Sequence, residues 1–231
     1  REWAASELQK ILGMDFGIPE NILMPAHCAE LGGDSDIVAY QEMVPFPTSI
    51  LDLGPRAAEA LIPTEVSKFL FDLAVLNTDK HEDNALAAGG RIHNIDHGLC
   101  LPRPDPGGKK KYLGLRSARL FWLTCPEAKV KISEDVREGW RAIDPSAVVD
   151  AFRKSLGEQK KRFPREEKLH IPEECFKLLE MNLRIIKSGI EKNKTLEEIG
   201  SIFQARRDTK SKKYFGGEIV SLYSRYVDKE E

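Results

Sequence analysis

The sequence predicts an α+β fold, because strand-like segments are concentrated in the first 100 residues of the 231-residue chain and helical segments dominate after Ser133. Hydrophobic residues make up 41% of the chain and charged residues 31%, which is typical of a folded protein with a sizeable core. The chain has no internal repeat or low-complexity tract. We therefore expect one α+β unit rather than two independent domains.

Composition also excludes several classes of protein. The formal net charge is −2, so no overall basic field favours nucleic acid, and we expect no nucleic-acid partner. The four cysteines are far apart with no CxxC pair, which predicts buried free thiols in a reducing cytoplasm rather than a zinc site. These are Cys28, Cys100, Cys125 and Cys175. No apolar run approaches the roughly 20 residues that span a bilayer.

The first 50 residues predict a helix followed by a strand pair. Residues 1–12 carry apolar side chains at helical spacing, and Gly13 ends the stripe. Residues 21–26 and 36–44 are short apolar segments separated by a sequence typical of a hairpin turn. After Pro45 and Pro47, residues 48–53 could form one or two helical turns.

A buried helix is predicted over residues 64–76, with Thr64 as its capping residue. Two short strands follow, over 84–88 and 91–96, around the turn sequence Gly89-Gly90. A Pro-, Gly- and Lys-rich irregular segment then leads to the helical region, in which Trp122 and Trp140 are predicted core anchors. The helices predicted there are 133–141, 145–161, 172–191, 195–207 and 214–228.

Acidic and amide side chains are spaced regularly between the buried helix and the end of the strand pair. The loop reads Asp79-x-x-x-x-Asn84, and the second strand ends in Asp96-His97-Gly98. A hairpin between Asn84 and Asp96 would fold both side chains back toward one point, and the preceding helix would deliver Asp79 from beneath. Carboxylate and amide oxygens are the ligands that hard cations such as Mg²⁺ prefer. Phosphoryl transfer needs this kind of charge compensation, together with a carboxylate that orients the attacking hydroxyl.

The alternative is an acidic turn whose side chains hydrogen-bond the local backbone. For Asn77 and Asp83, a turn-stabilising role and a direct catalytic role both stay open. His97 is more typical of packing than of a titrating functional group.

Five stretches carry a resemblance to a known family. "NTDKHEDN" followed by "IHNIDHGLCLP" resembles the phosphatidylinositol 3-/4-kinase superfamily, above all the type II phosphatidylinositol 4-kinases and the plant ubiquitin-domain gamma kinases. "FWLTCPEAKVKISEDV" resembles the segment after their activation loop. "REWAASELQKILG" is similar to their αC helix, and "VAYQEMVP" to the strand that leads into the adenine-binding hinge. The similarity runs from residue 1 to about Ile143.

This resemblance implies a protein-kinase-like fold. Residues 1–45 would form a partial small N-lobe with the αC helix, strands and hinge. Residues 46–231 would form a mainly helical C-lobe with the catalytic and metal-binding loops. In the family, a glycine-rich strand pair and a phosphate-binding lysine precede the αC helix, and we assign no visible lysine to that role.

The resemblance also implies roles for individual residues. Asp79 would be the catalytic aspartate, and Asn84 and Asp96 would hold Mg²⁺ or Mn²⁺. Glu2 would be the αC glutamate of the structural ion pair, although an exposed acid in the first helical turn would also suit the helix dipole. The residues implied to contact ATP are Glu42, Met43 and Val44 through the hinge backbone, and Leu86 and Ile95 against the adenine face. Core packing alone would explain the last two equally well.

Basic residues near the site are candidate contacts to substrate or phosphate. The segment Arg103 to Arg119 carries six basic residues and one acid, so an inositol-phosphate headgroup could bind there. A mobile loop with solubilising charges is the alternative. The residues named for this contact are Lys80, Lys109, Lys110 and Lys111. Lys80 stands where many lipid kinases have arginine, so it keeps the charge without the bidentate fork.

The sequence therefore predicts an ATP- and Mg²⁺- or Mn²⁺-dependent kinase that transfers the γ-phosphate to a hydroxyl, most readily of a phosphoinositide lipid. We expect a cytoplasmic protein, with peripheral contact to the membrane if the substrate is a lipid. One alternative is an atypical protein kinase, such as a bacterial effector, with the same catalytic loops. Another is a pseudokinase-like binding module, and a purely structural helical protein is a more distant one.

Overall fold

Helices and small sheets are both present in the computed structural model of the chain, so the α+β class is confirmed. The structure describes residues 1–27, 35–50, 52–53, 61, 65–103, 119–163, 169–204, 206–207, 214–215, 219, 222–223 and 225.

The predicted first helix and strand pair are confirmed. Helix α1 spans Glu2–Leu12 and ends at Gly13, whose φ of 66° is the left-handed conformation that glycine adopts without steric cost. Strand β1 (Asn21–His27) pairs antiparallel with β2 (Ser35–Gln41), so that Ile22 faces Tyr40.

A second sheet positions the acidic loop. Its strands are β3 (Thr48–Ser49), β5 (Ala85–Ala88) and β6 (Arg91–Asn94), in the order β3-β5-β6. The predicted hairpin between β5 and β6 is confirmed, and Gly89 and Gly90 both have the positive φ that a tight hairpin turn requires. The prediction of helical turns over 48–53 was partly correct. Thr48 and Ser49 pair with the edge of β5, whereas the N–H of Leu53 donates to the carbonyl of Ser49 (3.1 Å), as in one turn of helix.

The predicted buried helix is α2, Val66–Ala74. Thr64, its predicted cap, lies outside the described residues, and Glu65 occupies the N-cap position. After α2, strand β4 (Asp79–Lys80) pairs in parallel with β7 (Arg119–Leu120).

The helical region follows the prediction as far as residue 200. The helices are α3 (Glu134–Ala142), α4 (Pro145–Arg162), α5 (Glu173–Glu191) and α6 (Leu196–Gly200). Asp144 caps α4 by accepting hydrogen bonds from the backbone of Ser146 and Ala147. Thr195 and Glu198 form a capping box at the start of α6.

The last two predicted helices were only partly correct. Helix α6 ends at Gly200 instead of continuing to 207, and residues 206–207 form strand β8. Strand β9 (Tyr214–Phe215) lies where the final helix was predicted to begin and pairs antiparallel with β8. This β8–β9 ladder uses the backbone hydrogen-bonding groups that a helix would have used.

One hydrophobic core joins the described elements on both sides of position 45. Trp3 of α1 stacks on Phe152 of α4 with ring centroids 6.4 Å apart. Trp122 stacks on Phe69 of α2 at 5.6 Å. Trp140 lies 5.8 Å from Phe16. Trp122 and Trp140 are fully buried, so their predicted role as core anchors is confirmed.

Cys100 and Cys175 are fully buried free thiols, as predicted, whereas Cys125 is only half-buried. Cys28 lies outside the described residues. None of the helices in the described part of the chain is long and apolar enough to cross a membrane.

Two glycines in long helices test the packing of this core, because alanine should lower the free energy of unfolding at one of them and raise it at the other. A Cβ at Gly189 of α5 would lie 2.6 Å from Cγ1 of Ile199, whereas a Cβ at Gly157 of α4 would meet nothing within 4 Å. We expect Gly189→Ala to lower the free energy of unfolding by about 1–3 kcal/mol through overpacking. Gly157→Ala should raise it by up to about 1 kcal/mol through helix propensity. Urea denaturation measures both, and equal effects of the two substitutions would contradict the packing.

Candidate active site

Asp79 lies on β4, immediately after the turn that follows α2. Its backbone N–H donates to Oδ1 of Asn77 (3.2 Å), and its carbonyl accepts a hydrogen bond from the backbone N–H of His81 (3.1 Å). The side chain is half-buried. Within the described residues the Asp79 carboxylate accepts no hydrogen bond, so it is available to a substrate.

Asn84 closes the loop onto Asp79. Its side-chain Nδ2 donates to the backbone carbonyl of Asp79 at 2.9 Å, so the amide group is held in one orientation. Asn84 is buried, yet its Oδ1 accepts no hydrogen bond from any residue in the described ranges. The amide oxygen is therefore a fixed, unused acceptor.

Asp96 is tied to the same loop through the backbone. The N–H of Ile95 donates to the carbonyl of Asn84 (3.1 Å), and Nδ2 of Asn77 donates to the carbonyl of Asp96 (3.0 Å). Asp96 has a φ of 55°, a conformation that is uncommon for a residue other than glycine and that is concentrated at functional sites. Its side chain is exposed. The structure thus joins the backbones of Asp79, Asn84 and Asp96, the three residues that the spacing singled out.

Asn77 holds the two halves of the site together. The side chain is fully buried, and it bonds the backbone of Asp79 on one side and the backbone of Asp96 on the other. Of the two roles left open for Asn77, turn-stabilising and directly catalytic, these backbone contacts are of the turn-stabilising kind. Asp83 is exposed, accepts a hydrogen bond from Ser49 Oγ of β3 (3.1 Å) and lies 3.6 Å from Nδ1 of His81 in its own loop, so its contacts are of the turn-stabilising kind.

Glu2 reaches the site from the first turn of α1. Its carboxylate lies beside the backbone N–H groups of His97 and Gly98, and its Oε2 is 3.8 Å from Nδ1 of His97. Burial and, next, the carboxylate of Asp96 raise the pKa of Glu2, while those two N–H groups oppose the rise. The side chain is only 28% exposed, which differs from the alternative of a fully exposed acid in the first turn of the helix. In the part of the chain that the structure describes, no lysine lies within 4.0 Å of Glu2.

Lys80 is in the interior rather than at a surface open to substrate, so its predicted contact with substrate or phosphate was wrong. The side chain has no exposed area, and its Nζ donates to the backbone carbonyl of Asn84 at 2.6 Å. Successive side chains of a strand point to opposite faces, so Lys80 points to the side opposite Asp79. There the β4–β7 pair and the acidic loop enclose the Lys80 side chain. Lys109, Lys110 and Lys111 lie outside the described residues.

The predicted adenine contacts are in two connected places. The backbone N–H of Glu42 donates to Glu20 (2.9 Å), Met43 is 84% exposed and Val44 is buried. This segment runs into β3, where Ser49 pairs with Leu86 of β5.

Leu86 and Ile95 are half-buried, and among the described residues neither belongs to the hydrophobic core or to the partly buried residues that pack against it. Packing in the core of the described residues therefore does not explain their apolar side chains, and their contact with adenine stays a prediction.

A buried polar cluster that the sequence did not indicate lies beneath the site. It consists of Asp72, Lys80 and His97, which are all fully buried. Lys80 Nζ is 3.8 Å from Asp72 Oδ1, and His97 Nε2 is 3.9 Å from the same oxygen. Only the position of Asp72, a charged residue inside the apolar sequence "FLFDLAVL", could have drawn attention to it.

Burial controls the ionisation of this cluster. It raises the pKa of Asp72 to about 6, against the attraction of Lys80. It lowers the pKa of Lys80, against the attraction of Asp72, Asp96 and Glu2. It lowers the pKa of His97 well below the usual value, and the charge of Lys80 acts in the same direction. The imidazole is therefore neutral at pH 7, in keeping with a packing role, and its ring lies edge-on to Phe71 with centroids 6.0 Å apart.

The donor set fits a divalent ion that arrives with a nucleotide better than one held by protein alone. No group of three or more His, Cys, Asp or Glu side chains in the described ranges is placed to hold a metal ion. Mg²⁺ is usually bound through one or two carboxylates together with substrate phosphates and water. The Asp96 carboxylate and the Asn84 amide oxygen are donors of this kind.

Removing the Asn77 side chain should separate the two halves of the site. In Asn77→Ala, the N–H of Asp79 and the carbonyl of Asp96 lose their partners, each at a cost of about 1–3 kcal/mol. We expect the free energy of unfolding in urea to fall by about 2 kcal/mol or more. Asp83→Ala, at an exposed position of the same loop, should change it by less than about 0.5 kcal/mol. Wild-type stability in Asn77→Ala would show that this side chain does not hold the loops.

Comparison with known proteins gives relatives of low identity. Phosphatidylinositol 4-kinase gamma 2 of Arabidopsis thaliana is 26% identical over 175 residues, which cover 73% of this chain and 27% of that protein. Phosphatidylinositol 4-kinase gamma 4 of the same plant is 28% identical over 178 residues, covering 73% and 26%. The gamma 4 protein of Oryza sativa subsp. japonica is 26% identical over 196 residues, covering 80% and 29%.

No protein-family model matches the chain. The chain spans a little more than a quarter of the length of the curated relatives it matches. Over most of its length, then, the chain is similar to plant proteins that are named as phosphatidylinositol 4-kinases, which are phosphotransferases with an alcohol group as acceptor.

Proposed function

We propose that this chain carries the catalytic loops of an ATP- and Mg²⁺- or Mn²⁺-dependent kinase that transfers the γ-phosphate to a hydroxyl of a phosphoinositide. The observation that carries the proposal is the hydrogen-bond network around Asn84. The network joins Asp79, Asn84 and Asp96 through their backbones and leaves their side-chain oxygens without hydrogen bonds to the described residues.

Each of these residues has a distinct role in the proposal. The Asp79 carboxylate accepts the proton of the attacking hydroxyl and orients it. The Asn84 amide oxygen and the Asp96 carboxylate hold the divalent ion, which when bound neutralises charge on the nucleotide phosphates. Glu2 orients the Asp96 segment from the side of α1, where its carboxylate lies beside the backbone of His97 and Gly98.

The proposed nucleotide site lies between residues 42–44 and the β5–β6 hairpin. The segment Glu42, Met43 and Val44, in which Met43 is exposed, offers backbone groups to the adenine edge. Leu86 and Ile95, which the core leaves unused, offer apolar surface to the adenine face. In this proposal, residues 1–45 are part of the smaller lobe of a protein-kinase-like fold, and residues 46–231 are its C-lobe.

The lipid substrate rests on the relatives. The proteins with matching segments are named as phosphatidylinositol 4-kinases, and the similarity covers 73% of this chain in two of them. Peripheral contact with a membrane surface follows if the acceptor is a phosphoinositide, because its headgroup lies at that surface.

A kinase assay tests the proposal. We expect the protein to transfer label from ATP to phosphatidylinositol vesicles in the presence of Mg²⁺ or Mn²⁺, and to lose transfer when the ion is chelated. Asp79→Asn and Asp96→Asn should each lower kcat by at least about 100-fold, since each removes a carboxylate used in the transition state. Asp83→Asn is the matched control, because Asp83 is an exposed carboxylate in the same loop that has no catalytic role in the proposal. Its kcat should stay within about 3-fold of wild type.

Three outcomes would change the assignment. Transfer to a panel of proteins, but not to lipid vesicles, would favour the protein-kinase alternative with the same loops. Label transfer that persists unchanged in both Asp79→Asn and Asp96→Asn would contradict the proposed site. Nucleotide binding by calorimetry without any transfer would favour the binding module.

A further inference from the structure

The buried cluster of Asp72, Lys80 and His97 is an unusual use of polar side chains. Its members come from three segments, namely α2, β4 and the loop after β6, and none has exposed area. Both carboxylate oxygens of Asp72 and both ring nitrogens of His97 lack a hydrogen-bond partner in the described part of the chain. Buried polar groups are normally hydrogen-bonded, because their lost hydration is otherwise not compensated. Stability alone would be served better by apolar residues of similar size.

Lys80 connects this cluster to the site. Its ammonium lies between Asp72 Oδ1, at 3.8 Å, and the backbone carbonyl of Asn84, at 2.6 Å. The same carbonyl accepts the hydrogen bond from Ile95, next to Asp96. The position of the Lys80 ammonium therefore influences both proposed metal ligands without contact with metal, nucleotide or substrate.

Asp72 fixes the position and charge of that ammonium. It is the only carboxylate within 4.0 Å of Lys80 Nζ among the described residues, and a buried ammonium without such a partner would be strongly disfavoured. Asp72 is itself held in place by α2, which is packed on both sides through Phe69 and Phe71. The helix, the carboxylate, the ammonium and the Asn84 carbonyl thus form one continuous chain of contacts.

We propose that Asp72 and Lys80 are positioning residues for the metal-binding loop, so that this buried ion pair sets the affinity of the site for the divalent ion. The inference rests on the proposed function and deepens it. Groups that orient the ligands of a metal commonly change its affinity 10- to 100-fold when they are removed. The pair acts through the Asn84 carbonyl, and its contribution to metal binding is separable from its contribution to stability.

Direct binding of Mn²⁺, measured by electron paramagnetic resonance with a non-hydrolysable ATP analogue present, tests the inference without any activity measurement. Asp72→Asn keeps the shape of the side chain and removes its charge. We expect this variant to bind Mn²⁺ about 10- to 100-fold more weakly than wild type. Circular dichroism and thermal unfolding of the same samples establish that the fold is present.

A double variant separates positioning from stability. In Asp72→Leu/Lys80→Met, two apolar side chains replace the ion pair, so the thermal midpoint should equal or exceed that of Asp72→Asn. The Asn84 carbonyl still lacks its Lys80 donor, so we expect Mn²⁺ affinity to stay about 10-fold or more below wild type. If the pair had only a structural role, stability and affinity would recover together.

Lys68→Met is the matched control. Lys68 is also a buried lysine, lies on α2, pairs with Glu65 and donates to the backbone carbonyl of Ile92 on the same hairpin, at 2.5 Å. The substitution should lower the thermal midpoint and change the Mn²⁺ dissociation constant by less than about 2-fold.

The outcomes distinguish this inference from the proposed function. Wild-type Mn²⁺ affinity in folded Asp72→Asn, or in the folded double variant, would overturn the inference and leave the proposed function standing. Absence of Mn²⁺ binding to the wild-type protein with the nucleotide analogue would overturn the proposed function and the inference with it.

Discussion

The contacts of Asn84 are the constraint on which the site depends. Its side chain donates to the carbonyl of Asp79, and its own carbonyl accepts hydrogen bonds from Lys80 Nζ and from the N–H of Ile95. One residue therefore fixes the loop that carries Asp79, the hairpin that leads to Asp96, and its own amide oxygen. A change in any of these contacts would alter the spacing of all three side chains.

The hydrophobic core makes this arrangement rigid. Helix α2 lies under the loop, with Phe71 against Phe16 at 4.7 Å and Phe69 against Trp122 at 5.6 Å. Asp72 is anchored within that helix, and Asn77 follows its last turn with a backbone bond to the Asp72 carbonyl. From the other side, α1 packs on α4 and presents Glu2 to the backbone after Asp96. The site thus lies where two separately packed helices meet the hairpin.

Local sequence rules predicted the parts of the site that local chemistry determines. Gly89-Gly90 predicted the hairpin, since few other residue pairs adopt two successive positive φ values, and the hairpin in turn brings Asn84 and Ile95 together. The spacing from Asp79 to Asn84 predicted a shared loop, and their hydrogen bond has that geometry.

Tertiary packing determined what the sequence did not predict. Lys80 was expected to contact substrate or phosphate, and the Asp72 carboxylate and the Asn84 carbonyl in the folded chain explain why it lies in the interior instead. Strands β3, β8 and β9 have two residues each, too few for a periodic pattern, and they form because a neighbouring strand offers free backbone groups. Short segments of this kind depend on partners distant in the sequence.

Paramagnetic broadening of backbone amide signals by Mn²⁺ tests the central claim most directly, because it locates the ion in the folded protein. With a non-hydrolysable ATP analogue bound to deuterated, ¹⁵N-labelled protein, we expect added Mn²⁺ to broaden the amide signals of Asn84 and Asp96 most strongly. Strongest broadening at a different part of the chain, with nucleotide bound, would contradict the claim that the Asn84 loop and the residues after β6 form one metal site.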